Sequence, residues 1–239
     1  MKALAVATTV NEPWSAASQV ALVERPTVME IPMYDQSKLS EMIRFARVEA
    51  GSTVIDVYPG DGDWTRLFSD AVGPEGRVYS FVPAEVAHFK NDPVGRMRTL
   101  AKEPGRENVE AVSADLVAMP EVTQPADVLW LHLFYHDLHT ALIQARGATV
   151  PDFNRAVYER LKPGGSYVIV DHAAAAGSGT SDTQALHRID PATVREGWRR
   201  PASCSMRKAP CSRTRTIRTR SRCSIPRSRA RPIASPIGS

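Results

Sequence analysis

The chain has 239 residues and a hydrophobic fraction of 43%, which suits one soluble domain with a full core. No apolar run approaches the ~20 residues that cross a bilayer, so we predict no membrane span. We expect a cytoplasmic protein, with secretion as the alternative because the N-terminus, MKALAVATTV, is short and apolar.

The net charge of +4 hides an uneven distribution. Residues 1–198 contain 18 of the 30 basic residues and all 26 acidic ones, so this part carries −8. Residues 199–239 contain the other 12 basic residues and all three cysteines. The acidic body argues against a nucleic-acid substrate.

The basic segment 199–239 has two interpretations. One is a disordered arm that binds nucleic-acid phosphates, although it lacks the aromatic residues that stack on bases. The other is a shifted reading frame, because Arg, Ser, Pro, Thr and Cys dominate when a GC-rich coding sequence is translated out of frame. We favour the frameshift and predict a disordered tail. Its cysteine spacing, without partner histidines, does not favour zinc.

The elements preceding the tail follow in chain order. Residues 1–35 are predicted to be irregular because prolines interrupt them. A helix follows from residue 37, with one apolar face formed by Leu39, Met42, Ile43 and Ala46. Gly51 is expected to end this helix.

Strands and helices then alternate as far as residue 198. The predicted strands are 53–57, 77–82, 108–112, 126–131 and 166–170. The predicted helices are 64–71, 93–102, 152–161 and one that starts at 191. This order predicts an α/β domain over residues 36–198, with a Rossmann-like, doubly wound, mostly parallel sheet and helices on both faces.

In such a sheet the ligand lies outside the carboxyl ends of the strands, at the switch point after the first strand. The loop there, YPGDGD, has the glycine turn of a nucleotide-binding loop but carries Asp61 and Asp63. These carboxylates would repel the pyrophosphate of a dinucleotide, and Tyr58 stands where the first glycine of G-x-G-x-x-G belongs. A nicotinamide-dependent oxidoreductase is therefore the less favoured alternative. S-adenosylmethionine has no phosphate, and its cation suits acidic and aromatic residues such as Tyr58 or Trp64.

Several segments resemble a known family. VIDVYPGDG is similar to motif I of class I S-adenosylmethionine-dependent methyltransferases, GRVYSFV to their second strand and LKPGGSYVIVD to their turn into the fifth strand. PGDGDWTRLF, YHDLH and LHRIDPATVRE resemble, more narrowly, a bacterial group of predicted methyltransferases with a proline in motif I. The resemblance covers about residues 36–196. It implies methyl transfer from S-adenosylmethionine to a small-molecule acceptor.

The resemblance also implies a set of cofactor-binding residues. Asp56 would order the turn or the methionine ammonium, Gly60 and Gly62 would let the backbone approach the methionine, and Asp115 would contact adenine. The acid that usually ends the second strand is replaced by Val82, so Glu85 is the substitute for ribose binding. The complete predicted set is Asp56, Tyr58, Gly60, Asp61, Gly62, Glu85 and Asp115.

The segment LHLFYHDLH follows the fourth predicted strand and is expected to face the acceptor. His136 and Asp137 are the candidates for orienting the acceptor or removing its proton, with Tyr135 as a wall. The alternative is that both bond to the backbone of their own loop. Histidines 132, 136 and 139 also have a possible metal-ligand spacing, but His132 falls on the strand, so we predict no metal site.

The resemblance further implies a seven-stranded sheet, and a frameshifted tail would remove its last two strands. We therefore expect an unpaired sheet edge and an aggregation-prone, weakly active chain. An inactive or binding-only product is the third alternative.

Overall fold

The computed structural model describes residues 2–9, 20–24 and 36–205, and side chains from residue 38 to residue 198. The strands are β1 Lys2–Thr9, β2 Val20–Glu24, β3 Thr53–Val57, β4 Arg77–Pro83, β5 Val109–Ala114, β6 Ala126–His132 and β7 Leu161–His172. The helices are α1 Gln36–Ala46, α2 Asp63–Val72, α3 Pro93–Leu100, α4 Ala141–Gln144, α5 Val150–Arg160, α6 Thr183–Leu186 and α7 Pro191–Ser205. The predicted disordered tail is wrong for residues 199–205, which continue helix α7, and the rest of it, from residue 206 on, lies outside the described residues.

The sheet has the strand order β2-β1-β7-β6-β3-β4-β5. The five strands from β7 to β5 are parallel to their neighbours. This arrangement confirms the predicted Rossmann-like α/β fold. All five residues of β3 are buried, as expected for a central parallel strand that is covered on both faces.

An aromatic cluster packs α2 against the centre of the sheet. Trp130 of β6 is fully buried, and its ring lies 4.5 Å from the ring of Trp64 and 5.3 Å from that of Phe68, between centroids. Aromatic pairs at such distances add to the energy of area burial. The cluster fixes α2, and with it the loop that precedes α2, against the strand ends.

The prediction that residues 1–35 are irregular is wrong for β1 and β2. These strands pair antiparallel with each other, and β1 also pairs antiparallel with β7 over seven residue pairs, from Ala3 with His172 to Thr9 with Ser166. The proline breaks lie outside both strands. Proline spacing alone did not reveal them because strand pairing depends on a distant partner.

The expected unpaired edge beside the fifth parallel strand is also corrected. No strand follows β7 among the described residues, but β1 occupies the edge of β7 and β2 lies outside it. The N-terminal segment thus supplies the backbone partners that the C-terminal strands were expected to supply.

Removing residues 1–24 should strongly destabilise the domain, because β7 would lose its ladder with β1. At roughly 1 kcal/mol net for each backbone hydrogen bond, we expect the melting midpoint to fall by more than about 10 °C. Thermal melts and size-exclusion chromatography measure this effect. Removal of residues 206–239 is the control, and a monomer of unchanged midpoint after the N-terminal deletion would contradict the pairing.

Helix α1 has the predicted apolar face, on which Leu39, Met42 and Ala46 are buried, but it does not extend to Gly51. Arg47 adopts φ +60°, and the next backbone N–H donates to Ile43 O at 3.1 Å. This is the hydrogen-bond pattern of a Schellman motif, so a non-glycine residue ends the helix. Among the described helices, none is long and apolar enough to cross a membrane.

Candidate active site

The order in which strands are added to the sheet reverses between β3 and β6. From β3 the chain continues to β4 and β5 on one side, and it returns to β6 and β7 on the other. A crevice outside the carboxyl ends of two such strands is where ligands bind in open α/β sheets. The loop after β3 and the turn after β6 therefore form the candidate site.

Two residues with left-handed backbone conformations lie at this switch point, one after each strand. Tyr58 follows β3 with φ +57°, and Leu133 follows β6 with φ +55°. The Tyr58 ring stacks on Phe134 with 4.5 Å between ring centroids. The left-handed conformation costs a non-glycine residue about 1–2 kcal/mol, and such strain clusters at functional sites. Tyr58 thus adopts the backbone conformation that a glycine favours at this place in the loop.

The two glycines of the loop have different environments. Gly60 has φ +59°, and a Cβ added there would meet no atom of the described chain within 4 Å. Gly62 has φ +85°, and a Cβ there would overlap the Leu100 side chain. Gly62 thus has a backbone conformation that favours glycine and lies against Leu100 of α3, whereas Gly60 leaves its backbone open to a ligand.

Asp56 lies beneath the loop. Its side chain is 1% exposed, and Thr65 Oγ1 donates to its Oδ2 at 2.6 Å. Thr65 Oγ1 also lies 3.2 Å from Ser80 Oγ. Burial raises the pKa of Asp56 from 3.8 to about 7, and the hydrogen bond from Thr65 opposes this rise only in part. The contacts tie β3 to α2 and so support the predicted ordering of the turn.

Asp61 and Asp63 are exposed at the start of α2. Asp61 forms an ion pair with Arg96 of α3, and its backbone oxygen accepts from Arg66 Nη1 at 3.1 Å. Arg66 Nη1 lies 3.9 Å from Asp63 Oδ1. Both predicted acidic positions thus have cationic neighbours. Asp61 and Arg96 line an open cleft of about 470 Å³ beside α3.

Glu85 and Asp115 lie near the ends of the neighbouring strands β4 and β5. Glu85 is 4% exposed, and both of its carboxylate oxygens accept from the backbone N–H of Leu116, at 3.0 and 3.2 Å. Asp115 is exposed, and its side chain makes no capping hydrogen bond within the described turn. The structure therefore brings these two predicted residues together, one anchored and one open to a ligand.

On the acceptor side, Asp171 of β7 holds His136. Asp171 is fully buried, and His136 donates to it from the backbone at 2.8 Å and contacts it through Nδ1 at 2.7 Å. The backbone N–H of His172 donates to the same carboxylate at 2.7 Å. These bonds fix the position and orientation of the His136 ring.

The second ring nitrogen of His136, Nε2, lies in a polar cluster with Asp137 and His187. His136 Nε2 lies 3.2 Å from His187 Nδ1 and 3.4 Å from Asp137 Oδ1. His187 Nδ1 and Asp137 Oδ1 are 3.5 Å apart. Asp137 also lies near the loop after β3, because burial first and the charge of Asp137 second raise the pKa of Tyr58.

The cluster perturbs the pKa values of its members. Burial lowers the pKa of His136, but the hydrogen bond and charge of Asp171, together with the charge of Asp137, outweigh it and raise the pKa overall. Burial raises the pKa of Asp137, against the opposing charges of His136 and His187. Both pKa values are thus raised, and a shift caused by burial together with a specific charged partner is typical of functional sites.

Three other residues of the same segment do not join the cluster. Tyr135 is fully buried, and Asn154 Nδ2 donates to its hydroxyl at 3.2 Å. The His132 ring packs 5.5 Å from Trp64, and the His139 ring lies 6.1 Å from that of Tyr135. The predicted wall residue is therefore a core residue, and the three histidines of H-x3-H-x2-H do not converge.

Sequence reasoning did not find Asp171 or His187. Asp171 is a carboxylate at the end of a strand that is otherwise apolar, VIVD, and a buried acid in that position signals a fixed partner. His187 lies in LHRID, 50 residues after Asp137, and only the fold brings the two together.

A family model matches residues 26–183, about two thirds of the chain. The chain belongs to the ubiE/COQ5 methyltransferase family. The predicted relationship to class I methyltransferases is thereby confirmed. Membership of this methyltransferase family does not favour the alternative of a nicotinamide oxidoreductase.

The chain is similar to the demethylmenaquinone methyltransferase of Listeria welshimeri, with 26% identity over 134 residues, which are 55% of this chain and 49% of that protein. It spans about half the length of the curated relatives it matches. A solved SAM-dependent methyltransferase of Aquifex aeolicus has a TM-score of 0.50 at 18% identity, covering 67% of this chain and 77% of that one. A methyltransferase structure from Bacillus halodurans gives 0.51 at 19%, covering 69% and 68%. These solved structures share the fold.

Proposed function

We propose that this protein transfers a methyl group from S-adenosylmethionine to a small-molecule acceptor in the cytoplasm. The main support is the acidic glycine loop at the switch point, in a chain that belongs to a methyltransferase family. The carboxylates of Asp61 and Asp63 stay exposed beside Arg96 and Arg66, and they suit a sulfonium and an ammonium better than a pyrophosphate. The domain that does this extends, in our proposal, over residues 36–198.

The cofactor is proposed to lie across the ends of β3, β4 and β5. Gly60 offers open backbone beside the methionine, and Tyr58 lies next to it with its ring half buried. Glu85 and Asp115, at the ends of the next two strands, are proposed to contact ribose and adenine, Glu85 from the position in which the Leu116 N–H holds its carboxylate. Asp56 and Gly62 act beneath the loop by holding its shape.

We also propose membership of the narrower bacterial group that resembles this chain in YHDLH and LHRIDPATVRE. Its support is that His136 and Asp137 of the first segment contact His187 of the second. These two segments therefore contribute to one cluster. The cluster lies at the ends of β6 and β7, where an acceptor would approach the methyl group.

The acceptor class to test first is a hydroxylated aromatic ring. Curated relatives from Listeria and Lactococcus are named demethylmenaquinone methyltransferases, and the stacked rings of Tyr58 and Phe134 offer an apolar wall at the switch point. Methyl transfer is an in-line displacement, for which the protein mainly aligns acceptor and sulfonium. The polar cluster would take or release the proton that such an acceptor loses.

Calorimetric titration of the folded chain with S-adenosylmethionine and, separately, with NAD tests the cofactor. We expect micromolar binding of S-adenosylmethionine and none of NAD. Binding of NAD alone would refute the proposal. Binding of neither would favour an inactive product, and S-adenosylmethionine-dependent methylation of a quinol would support the acceptor class.

Gly60→Ala should weaken S-adenosylmethionine binding at least tenfold (about 1.4 kcal/mol) with little change in the fold. Its Cβ would stand in the open space that the cofactor is proposed to fill. Gly51→Ala is the matched control, because Gly51 has φ +81°, equally open surroundings and a place before β3. Both variants pay the same kind of backbone strain, so equal losses of affinity would show that strain, not contact, is responsible.

A further inference from the structure

We propose that His136, Asp137 and His187 form a zinc site with an open coordination position. Nothing in the family relationship suggests this site, and the sequence predicted none. The proposal depends on the spacing of the three ligand atoms, on the orientation of His136, and on the fixed position of His187.

The spacing of the ligand atoms is closer to that around a tetrahedral ion than to that around an octahedral one. Nε2 of His136, Oδ1 of Asp137 and Nδ1 of His187 lie 3.2, 3.4 and 3.5 Å from one another. Zinc binds nitrogen and oxygen at about 2.0–2.2 Å, so two ligands of a tetrahedral zinc lie about 3.3–3.6 Å apart. An octahedral ion with bonds of about 2.1 Å would need about 3.0 Å between neighbouring ligands.

Asp171 prepares His136 as a metal ligand. The carboxylate accepts two backbone N–H groups, so it also accepts at Nδ1 of His136. This bond places the proton on Nδ1 and leaves the lone pair of Nε2 directed into the cluster. A carboxylate behind a ligating histidine is the usual partner arrangement in zinc sites.

The backbone at His187 is strained and is anchored to the end of β7 by the residues that follow it. It adopts φ +51° immediately after α6. The next two residues are anchored to the end of β7: Arg188 Nη1 donates to Ala173 O at 3.0 Å, and Ile189 N donates to His172 O at 3.0 Å. These bonds anchor the backbone beside His187, so ion binding has to order only the exposed side chain of this ligand.

The site is accessible to solvent, and its three protein ligands leave the fourth coordination position of a tetrahedral ion free. The side chain of Asp137 is 24% exposed and that of His187 is 62% exposed, so an ion can enter past them. Three protein ligands and a free fourth position are typical of catalytic zinc. If the proposed methyl transfer is correct, the fourth ligand is a hydroxyl oxygen of the acceptor, whose proton the ion makes easier to remove.

The test is zinc binding by the untagged, full-length chain, measured without S-adenosylmethionine by competition with a colorimetric chelator. We expect one zinc ion per chain. His187→Ala and Asp137→Asn should each weaken zinc binding at least tenfold. Loss of a residue that only supports a ligand already weakens metal binding by about tenfold or more, and loss of a ligand should have at least that effect. His88→Ala is the matched control, because His88 is exposed and outside the cluster.

The cysteines need a separate control, since Cys204, Cys211 and Cys223 could also bind zinc. A variant with all three changed to serine should keep full affinity. Cobalt in place of zinc should give the intense visible bands of tetrahedral coordination. Absence of stoichiometric binding, unchanged binding by His187→Ala, loss of binding in the serine variant, or weak octahedral bands would each overturn the site.

Titration of the metal-free chain with S-adenosylmethionine separates this proposal from the previous one. Cofactor binding by a chain that does not bind zinc would overturn the metal site and leave the methyltransferase proposal intact. Zinc binding by a chain that does not bind the cofactor would support the metal site and remove its link to methyl transfer.

Discussion

Asp171→Ala should destabilise the domain by about 3–5 kcal/mol. The side chain is fully buried and accepts hydrogen bonds from the backbone of His136 and His172. It also pairs with the His136 ring. Its removal would leave the buried N–H of His136, the half-buried N–H of His172 and an imidazole without their acceptor, and a buried unsatisfied group carries its full desolvation cost. Urea unfolding followed by circular dichroism measures the change.

Two further variants sharpen this prediction. Asp171→Asn keeps the shape but presents an amide NH₂ where backbone donors need an acceptor, so it should also destabilise. Asp70→Ala removes an exposed carboxylate that pairs with Arg106 and should cost less than about 1 kcal/mol. Wild-type stability of Asp171→Asn would mean that the hydrogen-bond network contributes little.

Asp56→Asn should raise the free energy of unfolding above that of the wild type, and the difference should grow as the pH rises from about 4 to above 7. Burial raises the pKa of Asp56 from 3.8 to about 7. The folded state thus keeps a proton up to about pH 7 that the unfolded chain releases near pH 4. The folded state binds more protons in this window, so stability falls as pH rises through it.

The expected size of this effect is about 4 kcal/mol, because each pKa unit corresponds to about 1.4 kcal/mol. Asparagine cannot ionise, so the variant should match the wild type near pH 4 and exceed it by up to about that amount at pH 8. Urea unfolding from pH 4 to pH 8.5 measures the difference. Asp63→Asn, at an exposed position, is the control, and a difference for Asp56→Asn that does not vary with pH would refute the raised pKa.

The sequence was sufficient for the parallel part of the fold. Strand β3 was predicted to the residue, and β4 and α2 to within one residue at each end, because buried parallel strands are continuous apolar runs with turn residues at their ends. The positions of the proposed cofactor-binding residues in the fold followed from the same information. Its residues lie directly after strands, and the order of strands fixes which ends are neighbours.

The sequence was insufficient where a residue depends on a partner far along the chain. The strands β1 and β2 lie in a segment that reads as irregular, and they form a sheet edge only because β7 offers its backbone. Tyr135 looked like a pocket wall because of its neighbours in sequence, yet its side chain enters the core.

The proposed acceptor side shows most clearly which features the sequence predicted and which the tertiary structure decided. Local pattern identified His136 and Asp137, since polar residues after a strand end stand out in an apolar context. Only the tertiary structure placed Asp171 behind His136 and His187 beside it. Periodicity describes which face of an element is buried, but contacts between elements 35 and 51 residues apart are decided by how the packed elements fit together.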